Sequence, residues 1–308
     1  PADALPTSTF KDNRGALDLA WARPVGRFTP TVGGHFSLEQ DYRSFGLQGS
    51  LAADLNQKLT TVIVGGSRDQ DRVTPLHGIV NGLSLRDTVV ADSRDKHVTT
   101  ALIGVTQVLT RRWLMGVNLS RTWEDGYLTE PYKVLSMLDS TGTQVETVRE
   151  KRPGTRRRWS VQVNSAYHLT RDVLSWSYRH YEDDWQVRSN TYDVRYRMPQ
   201  GEDAWFEPHV RVYAQSAASF FRQGLRAGAP LPDYGSADLR LGALRTFTLG
   251  ATYGFKVSGS PGDWYVRAEF MRQSGTSHPA DAIGIQRTFN QAPSLNVASL
   301  VVGWTFER

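Results

Sequence analysis

The chain has 308 residues, of which 39% are hydrophobic and 22% charged, with a net charge of +5, a pI near 9.5, a mean hydropathy of −0.43 and no cysteine. No run of about 18 apolar residues occurs, which excludes a helical membrane protein, and the lack of cysteine excludes disulfides, thiolate metal sites, cysteine nucleophiles and covalent haem attachment by this chain. The basic excess does not gather into a basic and aromatic patch, so nucleic acid is not an expected partner and the charge is assigned to a lumen or to loops.

The opening stretch PADALPTSTFKDN has neither the basic start nor the apolar core of a signal peptide, so an exported protein is expected to be read here in its mature form or without its beginning. From there on, apolar and polar residues alternate with period two, which marks a strand with one greasy and one wet face. The alternation predicts strands at 14–23, 27–38, 42–55, 58–70, 95–109 and 112–124. It continues at 154–168, 172–183, 185–197, 204–216, 246–257, 263–273 and 294–307. The cleanest case runs from Arg245 to Lys256, where Phe247, Leu249, Ala251, Tyr253 and Phe255 interleave with Thr246, Thr248, Gly250, Thr252 and Gly254.

Short turns are expected at 24–27, 55–58, 109–112, 169–172, 200–203 and 257–263, with tight links at 39–41 and 183–184. Long segments at 71–94, 125–153, 217–245 and 274–293 all fall at the opposite end from the short turns, the arrangement of an outer-membrane barrel with periplasmic turns and extracellular loops. The fold class expected is all-β, a transmembrane antiparallel up-and-down β-barrel of the bacterial outer membrane, one domain over residues 1–308. Thirteen strands is an odd number, and a single-chain barrel with both termini in the periplasm needs an even one. The expectation is that one or three N-terminal strands precede this sequence, that PADALPTSTFKDNR is the tail of an extracellular loop, and that the complete barrel has 16 strands or 14. The segment SADLRLGAL is the place where an extra strand pair above the membrane would alter the count. A soluble barrel with the apolar face inside is disfavoured, because thirteen strands enclose more space than Leu, Val and Phe side chains fill.

With the apolar face toward lipid, the other phase names the lumen. Candidate pore-lining residues are Arg156, Arg158, Gln162, Asn164, Arg179, Asp193, Arg195, Glu207, His209, Arg211, Tyr213, Arg267 and Glu269. Two roles compete for them: ion pairs that brace the interior, or a selectivity lining for an anionic or polar solute. Trp21, Trp113, Trp176, Trp185, Trp264 and Trp304 lie on or beside strands like the aromatic girdles at lipid–water interfaces. No phosphate-binding loop, nucleophile elbow, H-E-x-x-H or EF-hand motif occurs, so no catalytic residue is assigned. His168, His180, Glu182, Asp183 and Asp184 lack metal-site spacing, and the acids are expected to make a tight extracellular turn.

Five phrases carry a resemblance: DLNQKLTT (Asp54 to Thr61), GVTQVLT (Gly104 to Thr110), GYLTEPYK (Gly126 to Lys133), SYRHYEDDW (Ser177 to Trp185) and RVYAQSAASFF (Arg211 to Phe221). In this order they resemble an uncharacterised family of outer-membrane β-barrels known as domain of unknown function 3570. The resemblance implies further strands before residue 1, favouring 16 over 14. It also implies a neighbourhood of a small lipoprotein, a thioredoxin-like protein and a flavin transferase, and hence an extracytoplasmic redox system. One departure is the ending, where Phe306 is followed by Glu307 and Arg308.

Within GYLTEPYK, Tyr127, Glu130, Pro131 and Tyr132 are candidates for anchoring a long loop onto the barrel wall, with Pro131 restraining the backbone. The function expected is a porin-like pore or transporter for a small polar or anionic solute, plugged by its loops or by a partner. The alternative is a structural sheath for a trans-outer-membrane redox complex. This chain is not expected to be an enzyme or to bind a cofactor, haem or flavin entering only through a partner. Expected partners are outer-membrane lipid and a periplasmic or lipoprotein subunit, a redox protein among the candidates.

Overall fold

The computed structural model describes residues 13–257 and 262–306. The first twelve residues of the expected loop tail at 1–14, part of the 257–263 turn, and Glu307 and Arg308 lie outside the described residues.

The strands in chain order are β1 (Gly15–Ala22), β2 (Phe28–Leu38), β3 (Tyr42–Leu55), β4 (Thr60–Val73), β5 (Ile79–Val80), β6 (Val89–Ala91), β7 (Arg94–Thr110), β8 (Trp113–Gly126) and β9 (Val134–Leu138). They continue with β10 (Gln144–Arg149), β11 (Thr155–His168), β12 (Val173–Asp183), β13 (Arg188–Gln200), β14 (Ala204–Gln215), β15 (Leu225–Arg226), β16 (Leu244–Lys256), β17 (Gly262–Gly275) and β18 (Leu295–Phe306). Thirteen of them form one antiparallel up-and-down sheet in the order β1-β2-β3-β4-β7-β8-β11-β12-β13-β14-β16-β17-β18. Each of the thirteen expected strands has its counterpart in that sheet. β1 and β18 are its two edges, and the sheet does not close on itself.

The expected strand at 185–197 begins three residues late, because Gln186 takes a left-handed φ of 69° and puts Trp185 in a turn. Asp183 and Asp184 build that turn: Asp183 Oδ1 accepts from Val187 N at 2.9 Å, and Asp184 Oδ1 from Arg157 N at 3.0 Å. The SADLRLGAL segment adds no strand pair of its own: Ser236 makes an isolated bridge to Phe221, Asp238 caps a 3-10 turn at Leu239–Leu241 by accepting from Arg240 N, and Leu244 opens β16.

The register separates two faces, with one bulge in the large sheet at Val108–Thr110 where β7 meets β8. The row Gln48, Ser67, Thr100, Thr122 and Arg158 is polar, while the row three residues away, through Leu51, Val64, Ile103, Leu119 and Val161, is in the opposite phase and apolar. Arg14, His35 and Ser37 at one end of the sheet line the same cavity as Arg156 and Arg158, six strands on from β1 in the sheet, so the sheet curls with its polar face concave. The convex face exposes Leu19, Leu300 and Val302 at 60% or more, with Trp264 against Trp304 and Trp113 against Tyr167 near the short-turn end. An apolar patch this extensive is stable against lipid, not water.

Buried apolar side chains sit mainly in the loops. One cluster joins Trp185, Val187, Ala218, Phe220 and Leu241; another joins Leu135, Met137 and Val148. The second lies on a small sheet ordered β10-β9-β15. The long loops therefore fold into a layer with its own core at the mouth of the sheet.

Candidate functional site

Alternation puts every second side chain of β11 to β17 on the concave face, and the sequence there is rich in charge. Arg156, Arg158, Arg179, Arg195, Arg197, Arg211, Arg267 and Lys256 share it with Asp183, Asp193, Glu207, Asp263 and Glu269. His209, almost wholly buried, links two of the acids: its Nε2 is 2.9 Å from Asp193 and its Nδ1 2.8 Å from Glu269. Both contacts are satisfied when both ring nitrogens carry hydrogen. Arg195 lies 3.4 Å from Asp193 and 3.7 Å from Glu207. Arg267 Nε donates to Thr252 at 3.3 Å. Arg195, His209, Arg211, Tyr213 and Glu269 line a cavity of about 490 Å³ with Thr246 and Thr248.

Higher on the same face, Arg156 Nε donates to Asp183 at 2.9 Å and its guanidinium lies 4.3 Å over the Trp185 ring. Arg158 pairs with Glu124. Both arginines line a larger cavity of about 780 Å³, together with Lys96 and Tyr42. Its roof is the GYLTEPYK loop: Tyr127, Glu130, Pro131 and Tyr132 all line it. Tyr132 is fastened to the β2–β3 turn, its hydroxyl donating to Asp41 at 2.6 Å. Burial first, then that hydrogen bond, push the Tyr132 hydroxyl up to about 12. Tyr127 is also pushed up to about 12, by burial and then by the charges of Glu150 and Glu130.

A clasp of charges holds the roof. Glu150, fully buried, accepts from Glu130 N at 2.8 Å and from the Ser236 hydroxyl, and pairs with Arg152 at 2.6 Å. Arg152 Nη2 reaches Asp238 at 2.9 Å, and Arg240 binds the same carboxylate. Burial raises the Asp238 carboxyl, but the hydrogen bonds and charge of Arg240 and the charge of Arg152 outweigh it and hold it at about 2. The clasp ties the loop after β8 to the loop after β14.

The structure thus brings Arg156, Arg158 and the four loop residues around one cavity, and Arg195, His209, Arg211, Tyr213 and Glu269 around another. Asp193 and Glu207 bind residues of the second group. Gln162 and Asn164 lie lower on β11, opposite Arg179 and Ser177 in register. Sequence reasoning did not single out Lys96, Tyr42, Asp71 or Glu124, although the same alternation puts them on the polar face; Lys96 pairs with Asp71 at 3.1 Å. It also missed the clasp of Glu150, Arg152 and Asp238, for which periodicity offers no signal.

The chain belongs to the family described as "Protein of unknown function (DUF3570)", whose profile matches residues 1–306. A search of curated proteins finds no match. Among solved structures, the siderophore receptor PirA from Pseudomonas aeruginosa is similar at 11% identity and a TM-score of 0.53, over 94% of this chain and 52% of that one. PirA from Acinetobacter baumannii gives 9% identity and a TM-score of 0.52, covering 95% and 48%. CdiB from Escherichia coli gives 14% and 0.51, covering 95% and 53%. The chain spans about half the length of these structures, which are outer-membrane β-barrel proteins. The likeness is one of fold: an antiparallel up-and-down sheet of outer-membrane barrel type.

Proposed function

We propose that this member of the family is a porin-like outer-membrane pore or transporter for a small polar or anionic solute, closed at its outer mouth by its own loops. The observation that carries this reading is the polar cavity of about 780 Å³ roofed by residues 127–132 and clasped by Glu150, Arg152 and Asp238. Below it, arginines outnumber acids on the concave face of β11 to β17, and rings of arginine favour anions in a pore. The pairing of Arg156, Arg158 and Arg195 also braces the interior, so the two roles coexist.

Lipid offers no water to the free edges of β1 and β18, so a membrane form requires that they be bridged. We take the complete barrel to have 16 strands, or 14, of which this sheet is the larger part. No catalytic step is assigned to it.

The test is single-channel conductance of the purified protein in planar bilayers. Brief, anion-biased openings are expected, lengthening when the clasp is broken by Glu150→Gln with Arg152→Gln. A barrel silent in both forms overturns the pore, and if a haem- or flavin-absorbing subunit co-purifies with it, the sheath takes its place. A detergent-independent soluble monomer overturns the membrane reading altogether.

A further inference from the structure

The convex face is apolar near the short turns but not at the loop end. There, on β2, β3, β4 and β7, two rows of outward side chains run across the strands in register. The first is Phe36, Phe45, Gln70 and His97; the second is Leu38, Arg43, Arg72 and Asp95. A groove of about 280 Å³ lies between them, lined by Phe36, Phe45, Gln70, His97, Arg43 and Arg72 together with Ser44, Asp71 and Asp95.

Arg43 and Arg72 stand directly opposite each other on neighbouring strands. Like charges at this spacing, about 5 Å between β-carbons, repel unless an anion is shared. Arg72 is partly occupied, donating to Ser93 Oγ at 2.8 and 3.1 Å and lying 3.9 Å from Asp95. Among the described residues Arg43 meets no carboxylate, and the buried Nδ1 of His97 has no hydrogen-bond partner. Two forked cations thus line the groove with two carboxylates, of which Asp95 lies beside Arg72 and Asp71 is committed to Lys96 and Tyr42 on the other face of the sheet. Guanidinium forks match the oxygens of a phosphate.

The floor identifies the phosphate's carrier. Phe36 and Phe45 are 45% and 50% exposed on the lipid side of the same groove, and Leu47, at 58%, continues the apolar surface downward. A free phosphate has no use for this floor, whereas a lipid lays its acyl chains along it while its head group meets the arginines. We propose that the groove of Arg43, Arg72 and His97 binds the phosphate of a phosphorylated lipid in the outer leaflet. The proposal rests on the outer-membrane reading above.

The test is native mass spectrometry of the full protein in detergent micelles supplied with bis-phosphorylated lipid A, compared with the same lipid after phosphatase treatment. Retention of the phosphorylated lipid is expected, with at least a tenfold loss in Arg43→Gln with Arg72→Gln and recovery of most of it in Arg43→Lys with Arg72→Lys. A heat-modifiable gel shift equal to wild type establishes that each variant is folded. Retention unchanged in the glutamine variant overturns the proposal. So does an equal loss when Arg245 and Arg272, outward arginines on β16 and β17, are changed to Gln instead, because the groove is then not the site. Displacement of the lipid by millimolar inorganic phosphate alone overturns the choice of lipid as carrier. If the protein needs no detergent, the membrane reading has failed, a result separate from failure of the groove in a detergent-dependent barrel.

Discussion

His209 reaches Glu269 across a strand that offers no side chain: Nδ1 and Oε1 are 2.8 Å apart, and the residue between them in register is Gly250. A β-carbon at Gly250 would stand 2.5 Å from Glu269 Cγ and 2.9 Å from the Ala268 carbonyl oxygen. Gly250→Val is therefore expected to displace Glu269 and strip His209 of one carboxylate. Overpacking of this kind costs about 1–3 kcal/mol, and the urea midpoint in lipid vesicles should fall accordingly. A midpoint equal to wild type would show that the bridge adds nothing to the wall.

Breaking the clasp acts on the loops and leaves the sheet in place. Arg152→Met leaves Glu150, fully buried, without its ion-pair partner, while Asp238 keeps Arg240. Leaving a buried charge without its partner costs about 3–5 kcal/mol. Limited proteolysis of the folded protein should then cut within 127–153 and 217–242, while the strand core stays protected. Resistance equal to wild type would refute the clasp.

The same clasp predicts a response to acid. Asp238 in the fold sits at about 2, below the usual carboxylate value near 3.8. A depressed carboxyl stabilises the folded state above its unfolded value, and that contribution, on the order of 2 kcal/mol, is lost as pH falls through the folded one. Amide exchange in residues 235–242 should be flat between pH 7 and 5 once corrected for intrinsic rates, and protection should weaken from about pH 4 toward 2. Asp238→Asn should remove that step.

Tyr132 holds the roof to Asp41, and Tyr132→Phe removes the bond at a cost of about 1 kcal/mol. Channel recordings should show more frequent openings with the same amplitude, since the wall is untouched. In the parent protein the contact persists through pH 10 and is lost as pH rises toward about 12, where the tyrosine ionises. A changed amplitude would mean that Tyr132 acts on the wall itself.

Arg211 faces the lower cavity from β14, opposite Asp193 and Thr248 in register. Arg211→Ser should reduce the preference for chloride over potassium, measured as a reversal potential in a salt gradient. An unchanged potential would leave Arg211 a bracing residue.

The strands were legible because lipid and lumen impose opposite chemistry on alternate residues. The stretch expected at 42–55 is β3 as observed, and 204–216 overshoots β14 by one residue. The expected strand at 185–197 starts too early: Gln186 turns the backbone, and Trp185 and Val187 fall in the opposite phase to the outward Tyr192, Val194 and Tyr196. There Trp185 faces Phe220 in the loop core and carries Arg156 on its ring, partners that a pattern of period two does not encode. Arg156 and Arg158 were recognisable as lumen residues from their phase, but their acids Asp183 and Glu124 come from the strands on either side, and which acid meets which arginine is a matter of register.

By itself, then, the sequence determined the strands, the two faces and the end at which the long loops lie, since each follows from the local repeat and from turn length. Only the tertiary structure decided that the loops roof a cavity. Ser236 meets Glu150 across 86 residues, and Tyr132 meets Asp41 across 91. Such contacts depend on how far the sheet curls and which loops it brings together, a property of the whole set of strands and of no segment alone.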